Sequence, residues 1–335
     1  IGEDCAGAVQ LVRAERLDDV LGEAAPEVEW LSEMAVARRL TDIVEHHGTG
    51  RTAGDPGYFS LAGAQPKTAL IYSDGRWGVP SGRLPTTHIL KPSTQRDLPG
   101  FEVNEHFCLR LAEEVGVPVA ESRVLRFDDQ IAIVVSRYDR AKLPSGEIRR
   151  VHQEDACQAL SVSPSRKYEA EGGPGAASLV DLLLEEADDP EVDVGTLIDA
   201  LALNWVIGGT DAHAKNYSLL IRPGSVRLAP LYDLVSALPY PHWIPYRKAK
   251  LAMRVDREYA IHKVRARHWR ALAEHCGLDA GPVVDRVGEI VDQVQGAIGA
   301  VAASLHEEGL NDPIIGDLAD AISSHAERCL DHLSA

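Results

Sequence analysis

The segment GGTDAHAKNYSLL, residues 208–220, sets a carboxylate, an imidazole, an ammonium and a carboxamide close together: Asp211, His213, Lys215 and Asn216. Apolar sequence, NWVI before it and SLLI after it, holds these groups from both sides, as expected at the rim of a core. After Asn216 comes YSLLIRPGSVRLAPLYD, which reads as a strand, a Pro-Gly turn, a second strand and then Asp233. The order Asp–x4–Asn–hairpin–Asp is the one that phosphoryl transfer of the protein-kinase type requires. One Asp accepts the proton of the attacking hydroxyl, while the Asn and the second Asp hold the metal ions that bridge the ATP phosphates. Hard oxygen ligands with few protein contacts suit Mg²⁺.

Such chemistry needs a lysine on a strand and a loop over the phosphates. Lys91, near the end of the strand-like THILKP, is the candidate lysine. SLAGAQPKT, residues 60–68, offers Ala62, Gly63 and Ala64 as the small residues of a phosphate-covering loop. It is neither GxGxxG nor a Walker A loop, because Pro66 stands before Lys67-Thr68. The segment from Ser136 through Arg137, Tyr138 and Asp139 to Arg140 follows an internal strand, where an adenine-binding hinge would run. Backbone groups there could read the adenine edge, and Asp139 could reach the ribose. Glu102 and Glu105 are candidates to pair with Lys91, and the helical wheel assigns neither.

The elements that must position these groups change character along the chain. Residues 27–47 carry apolar groups at near-helical spacing. TALIY and WGVP flanking Ser73–Arg76 read as a hairpin, as do SRVLRF and IAIVVS, whose return strand is continuously apolar and therefore internal. Residues 101–116 look helical, stopped by Gly116. Beyond residue 150 helices dominate. The reading is an α+β, bilobal, protein-kinase-like fold, with a strand-rich lobe over 1–140 and a helical lobe over 141–335.

With 335 residues, 45% hydrophobic and 25% charged, the composition is that of a globular enzyme. No run approaches the roughly 18 apolar residues of a membrane span. A net charge of −17, from 51 acidic and 34 basic residues, argues against gripping nucleic-acid phosphates unaided. Five scattered cysteines with no CxxC pair fit free thiols in a reducing cytoplasm. A rival reading takes Asp211 and His213 as ligands of a metal-dependent hydrolase. It needs a second His cluster, and His46-His47 and His242 lack the spacing. Another rival is a catalytically inactive binding scaffold, against which the intact Asp211, Asn216 and Asp233 speak.

The blocks SLAGAQPKTAL, THILKP, NEHFCLRLAEEVGVPVAES, VSRYDR, QEDACQALSVSPSRKYE, GGPG, NWVIGGTDAHAKN and LAPLYDLVSA follow one another as in HipA-like serine/threonine kinases. These are the toxin half of a bacterial toxin–antitoxin pair, and the chain resembles them over roughly residues 55–240. The resemblance implies Asp211 as the catalytic base, Asn216 and Asp233 as metal ligands and Lys91 as the α/β-phosphate contact. It also implies Ser136–Tyr138 as the hinge, Asp139 on the ribose and Ser60 as an autophosphorylated serine. Lys215 would offset charge on the transferring phosphoryl group, and His213 would brace the loop through hydrogen bonds. YDLV stands where ordinary protein kinases have Asp-Phe-Gly. The family's substrate is an aminoacyl-tRNA synthetase, glutamyl-tRNA synthetase in its best-known members. A HipB-like DNA-binding antitoxin restrains it, with DNA contact made mainly by that partner. Such kinases carry a further N-terminal subdomain, and the start at Ile1 leads one to expect that it is missing here.

Overall fold

The computed structural model describes residues 2, 4–22, 27–45, 59–61, 63, 65–81, 83–93 and 98–334. The chain folds as two compact units, one of residues 1–96 and 120–153, the other of 97–119 and 154–335.

In the first unit, six strands form an antiparallel sheet in the order Val28–Leu31, Arg76–Pro80, Thr68–Ser73, His88–Pro92, Gln130–Ser136, Ser122–Phe127. Both expected hairpins are present. The first turns at Asp74 and Gly75, whose φ angles of 51° and 75° supply the left-handed pair that a tight two-residue hairpin requires. Gln130–Ser136 is hydrogen-bonded on both edges, as its unbroken apolar run implies. One sheet face is covered by the helix Glu33–Glu45, whose Val36, Leu40 and Ile43 pack with Leu70, Leu90 and Val134.

Residues 27–47 are not one helix. Val28–Leu31 is an edge strand, and the helix begins only after Ser32, whose hydroxyl accepts from Ala35 N–H at 3.2 Å. A serine N-cap satisfies an otherwise orphaned donor and so fixes the start. Trp30 on that strand lies under the Arg76 guanidinium, 4.3 Å from its ring centre.

The second unit holds the helices Phe101–Glu114, Ala176–Glu186, Pro190–Val206, Ala266–His275, Ala280–Glu307 and Ile314–Ser334. Fully buried Phe107, Leu203, Trp205 and Trp269 lie in its core. The indole N–H of Trp205 donates to Ile261 C=O at 3.0 Å, so a large apolar side chain is buried without an orphaned donor.

This division differs from a single cut at 140/141. Phe101–Glu114 belongs to the helical unit because Asn104, inside it, clasps the backbone of Ser236 from both sides. Its amide donates to Ser236 C=O at 2.9 Å and accepts from Ser236 N–H at 2.9 Å. Residues 141–153 stay with the sheet unit, since Arg150 reaches Asp4 at 3.2 Å and Val151 N–H donates to Asp139 C=O at 2.9 Å. Glu102 and Glu105, between which the helical wheel does not choose, are both buried.

Candidate active site

The helix Pro190–Val206 delivers the chain to the site. Pro190 at its first turn and Asp189, which accepts from Val192 N–H at 3.4 Å, define its start. It ends at two glycines. Gly208 has φ +66°, and a Cβ there would lie 2.6 Å from Leu238, so this turn is closed to other residues. Gly209 lies against the carboxamide of Asn204, and its N–H donates to Asn204 C=O at 2.7 Å.

The loop that follows is held by its own backbone. His213 N–H points to both Asp211 C=O at 2.9 Å and the Asn216 side-chain oxygen at 3.1 Å, and Asn216 N–H returns to His213 C=O at 2.9 Å. Asn216 thereby closes the tight turn that carries Asp211. The expected hairpin then forms, Ser218–Arg222 against Ser225–Leu228, with Leu219 opposite Leu228. It leads back to Tyr232, whose hydroxyl donates to Lys215 C=O at 2.6 Å and lies 2.7 Å from Ser218 Oγ. This tie lays Asp233 beside the loop, where Asn216 Nδ2 donates to Asp233 Oδ2 at 3.4 Å. Asp233 sits at φ +59°, a left-handed conformation that aspartate tolerates better than bulkier residues.

Asp211, Asn216 and Asp233 are thus linked through one short run of hydrogen bonds. The donor set fits Mg²⁺: carboxylate and carboxamide oxygens, with the Asn216 carbonyl keeping a second lone pair beyond the one facing His213. Among the described residues no three or more His, Cys, Asp or Glu side chains gather as a metal cluster, and His46 and His47, named for the hydrolase reading, lie outside the described residues.

Lys215 is ion-paired with Asp155, which also caps the short helix Ala156–Ala159 by accepting from Gln158 N–H at 3.0 Å. That ion pair anchors the loop. His213 is buried, and its bracing runs through its backbone N–H and ring, its Nδ1 having no hydrogen-bond partner among the described residues. Burial lowers the imidazole pKa, and Lys167 adds to this against the opposing pull of Asp211, so the ring is neutral near pH 7. Tyr168, unassigned from sequence, donates its hydroxyl to Asp211 Oδ1 at 2.6 Å and meets the His213 ring edge-on at 5.1 Å.

In the first unit, Lys91 is buried on the strand His88–Pro92, opposite Ile133. Its neighbour Leu90 belongs to the core under the helix Glu33–Glu45, so strand alternation turns Lys91 to the other face. Ser136 N–H donates to Glu121 C=O at 2.8 Å and Arg137 N–H to Thr87 C=O at 2.9 Å, which commits the first two of the three backbone donors of the hinge candidate to the sheet. Tyr138 follows directly. Arg137 and Asp139 form a buried bidentate pair at 3.0 and 2.8 Å, and Gly7 N–H donates to Asp139 at 2.7 Å. Asp139 is therefore an ion-pair residue in this structure. The loop candidate Gly63 has φ +108° and packs against the Lys67 ammonium. Ala62 and Ala64 lie outside the described residues. Ser60 pairs through its backbone with Cys5, and its side chain lies outside the described atoms.

Comparison with known proteins places this geometry in context. A family model described as a HipA-like C-terminal domain matches residues 59–300. A putative kinase, Y4mE, from Sinorhizobium fredii is 35% identical over 328 residues, covering 98% of this chain and 76% of the relative. The serine/threonine-protein kinase toxin HipA of Shewanella oneidensis is 30% identical over 257 residues, covering 73% of this chain and 58% of that protein. A solved complex of Shewanella oneidensis HipA, HipB and operator DNA contains a chain that superposes with a TM-score of 0.81 at 26% identity. The match covers 98% of this chain and 77% of that one.

Proposed function

The chain belongs to the HipA-like kinase family, and on that premise we propose that it transfers the γ-phosphoryl group of ATP to a protein serine or threonine. The observation that carries this reading is the hydrogen-bonded run joining Asp211, Asn216 and Asp233. In the reaction the bond between the γ-phosphorus and the bridging oxygen of ADP breaks. A new phosphorus–oxygen bond forms to the alcohol, whose proton passes to Asp211. Proton handling of this kind contributes about 10²–10⁴-fold. Asn216 and Asp233 would hold Mg²⁺, which when bound offsets phosphate charge. Lys91 is assigned to the α/β-phosphates, supported by its buried place on a strand. Gly63 and Tyr138 are assigned to the nucleotide through their backbone, and Ser136 through groups other than its sheet-bonded N–H.

The substrate we propose is an aminoacyl-tRNA synthetase, and the restraining partner a HipB-like antitoxin that makes the DNA contact. The solved relative bound to HipB and operator DNA supports the partner, and the net charge of −17 supports its carrying the DNA contact. Phosphorylation of Ser60 would be self-limiting, because it adds about −1.5 to −2 charge beside a loop meant for phosphates. No helix among the described residues is long and apolar enough to cross a membrane, and all five cysteines are free, which agrees with a cytoplasmic site of action.

The test is transfer of label from γ-labelled MgATP to purified synthetases by native protein and by Asp211→Asn. Loss of transfer with ATP binding retained supports the assignment. Native turnover in the variant overturns it, and absence of transfer by native protein to any synthetase overturns the substrate. Mass spectrometry after incubation with MgATP reads Ser60 directly.

A further inference from the structure

We propose that Tyr168 is a positioning residue for the catalytic carboxylate: its hydroxyl grips one oxygen of Asp211 and leaves the other for the incoming alcohol. The inference rests on the reading of Asp211 as the base. Its starting point is the 2.6 Å hydrogen bond from the phenol to Asp211 Oδ1, made between residues 43 positions apart.

Asp211 is exposed on a loop, where an aspartate side chain would otherwise sample several rotamers. The tyrosine comes from a segment anchored by separate contacts. Glu171 and Gly173 N–H both donate to Tyr168 C=O at 3.0 Å. Glu169 binds the strand Lys250–Val255, accepting from Arg254 N–H at 2.7 Å and pairing with its guanidinium at 2.9 Å. Lys167 C=O accepts Ala214 N–H at 3.2 Å, which docks the loop of Asp211 onto this segment. The ring itself is fixed between the His213 edge and the Lys167 ammonium, 4.9 Å from its centre.

A phenol suits the task better than a cation. An ammonium or guanidinium would pair with the carboxylate and weaken it as a proton acceptor, whereas a neutral O–H fixes its direction and leaves the negative charge in place. Burial and the neighbouring Asp211 raise the phenol's pKa, so it remains a donor throughout the neutral range.

The test compares native protein, Tyr168→Phe and Asp211→Asn, using γ-labelled MgATP and a degenerate serine/threonine peptide library. The phenylalanine keeps the ring on His213 and removes only the hydroxyl. The expected result is a kcat lower by about 10–100-fold, the scale of a misplaced reacting group, with KM for MgATP within about twofold of native. The thermal unfolding midpoint should stay native. A native kcat in Tyr168→Phe beside an inactive Asp211→Asn overturns the positioning role alone. A fall in kcat matched by weaker MgATP binding or a lower midpoint also overturns it, by showing a structural role. An active Asp211→Asn overturns the base assignment, and this inference with it.

Discussion

Asp4 and Asp139 in the first unit are buried among guanidinium groups, whereas Asp211 and Asp233 in the second meet a phenol and a carboxamide. Asp4 contacts Arg137, Arg140 and Arg150, and also accepts from Thr86 N–H at 2.9 Å. Burial pushes both first-unit carboxyls up, but the surrounding arginines outweigh it and hold them below the ordinary aspartate range. Charge pairing and burial make an acid permanent and structural. Asp211 is instead exposed and held by a neutral donor. The contrast shows why residue type alone does not separate a working aspartate from a supporting one.

The sharpest way to break this contrast is to remove the charge of one acid in each unit. Asp211→Asn should cut phosphoryl transfer by about 10²–10⁴-fold while stability and ATP affinity stay near native. Steady-state kinetics, nucleotide titration and a melting curve check all three. Asp139→Ala should do the reverse. It leaves Arg137 and Arg140 in the interior short of a counter-charge, at a cost of about 3–5 kcal/mol in chemical denaturation. If it melts like native, the network is not what holds the N-terminal residues to this sheet.

A smaller loss, about 1–3 kcal/mol, is expected for Asn104→Ala, which leaves the Ser236 N–H and C=O buried without their partner. Urea titration measures it, and a native midpoint would show that the segment after Asp233 is pinned by other contacts. The mildest test is pH. Burial brings His106 and His325 in the second unit, and His88 in the first, down to about 4. An unfolded histidine titrates near 6.5, so the unfolded chain binds more protons between about 6.5 and 4. Stability should therefore fall as pH drops through that window. The depressed Asp4 and Asp139 act only lower, losing their contribution as pH falls from about 3.9 through their folded values. His325→Gln should flatten the melting-temperature slope between pH 6.5 and 4.5. An unchanged slope would show that this ring does not stay neutral when folded.

Much of the local architecture was legible from residue order. The hairpins around Asp74-Gly75 and Asp128, the internal strand Gln130–Ser136 and the strand pair before Asp233 follow from turn residues and apolar runs that act over a few positions. The edge strand Val28–Leu31 is not legible in the same way, because its four residues carry too short a pattern to outweigh the helical spacing that follows. The N-cap Ser32 was the signal that marked the boundary. The family match over residues 59–300 agrees with the reading drawn from the ordered blocks.

By itself the sequence determined the turns, the periodic faces and the spacing of Asp211, Asn216 and Asp233, since each depends on backbone sterics and side-chain direction within one element or hairpin. Only the tertiary structure decided which charges stand together. Asp4 meets Arg137 across 133 residues, Lys215 meets Asp155 across 60, and Tyr168 meets Asp211 across 43. Electrostatic partners at such separations leave no local signature. Burial then sets which acids are held as fixed charges.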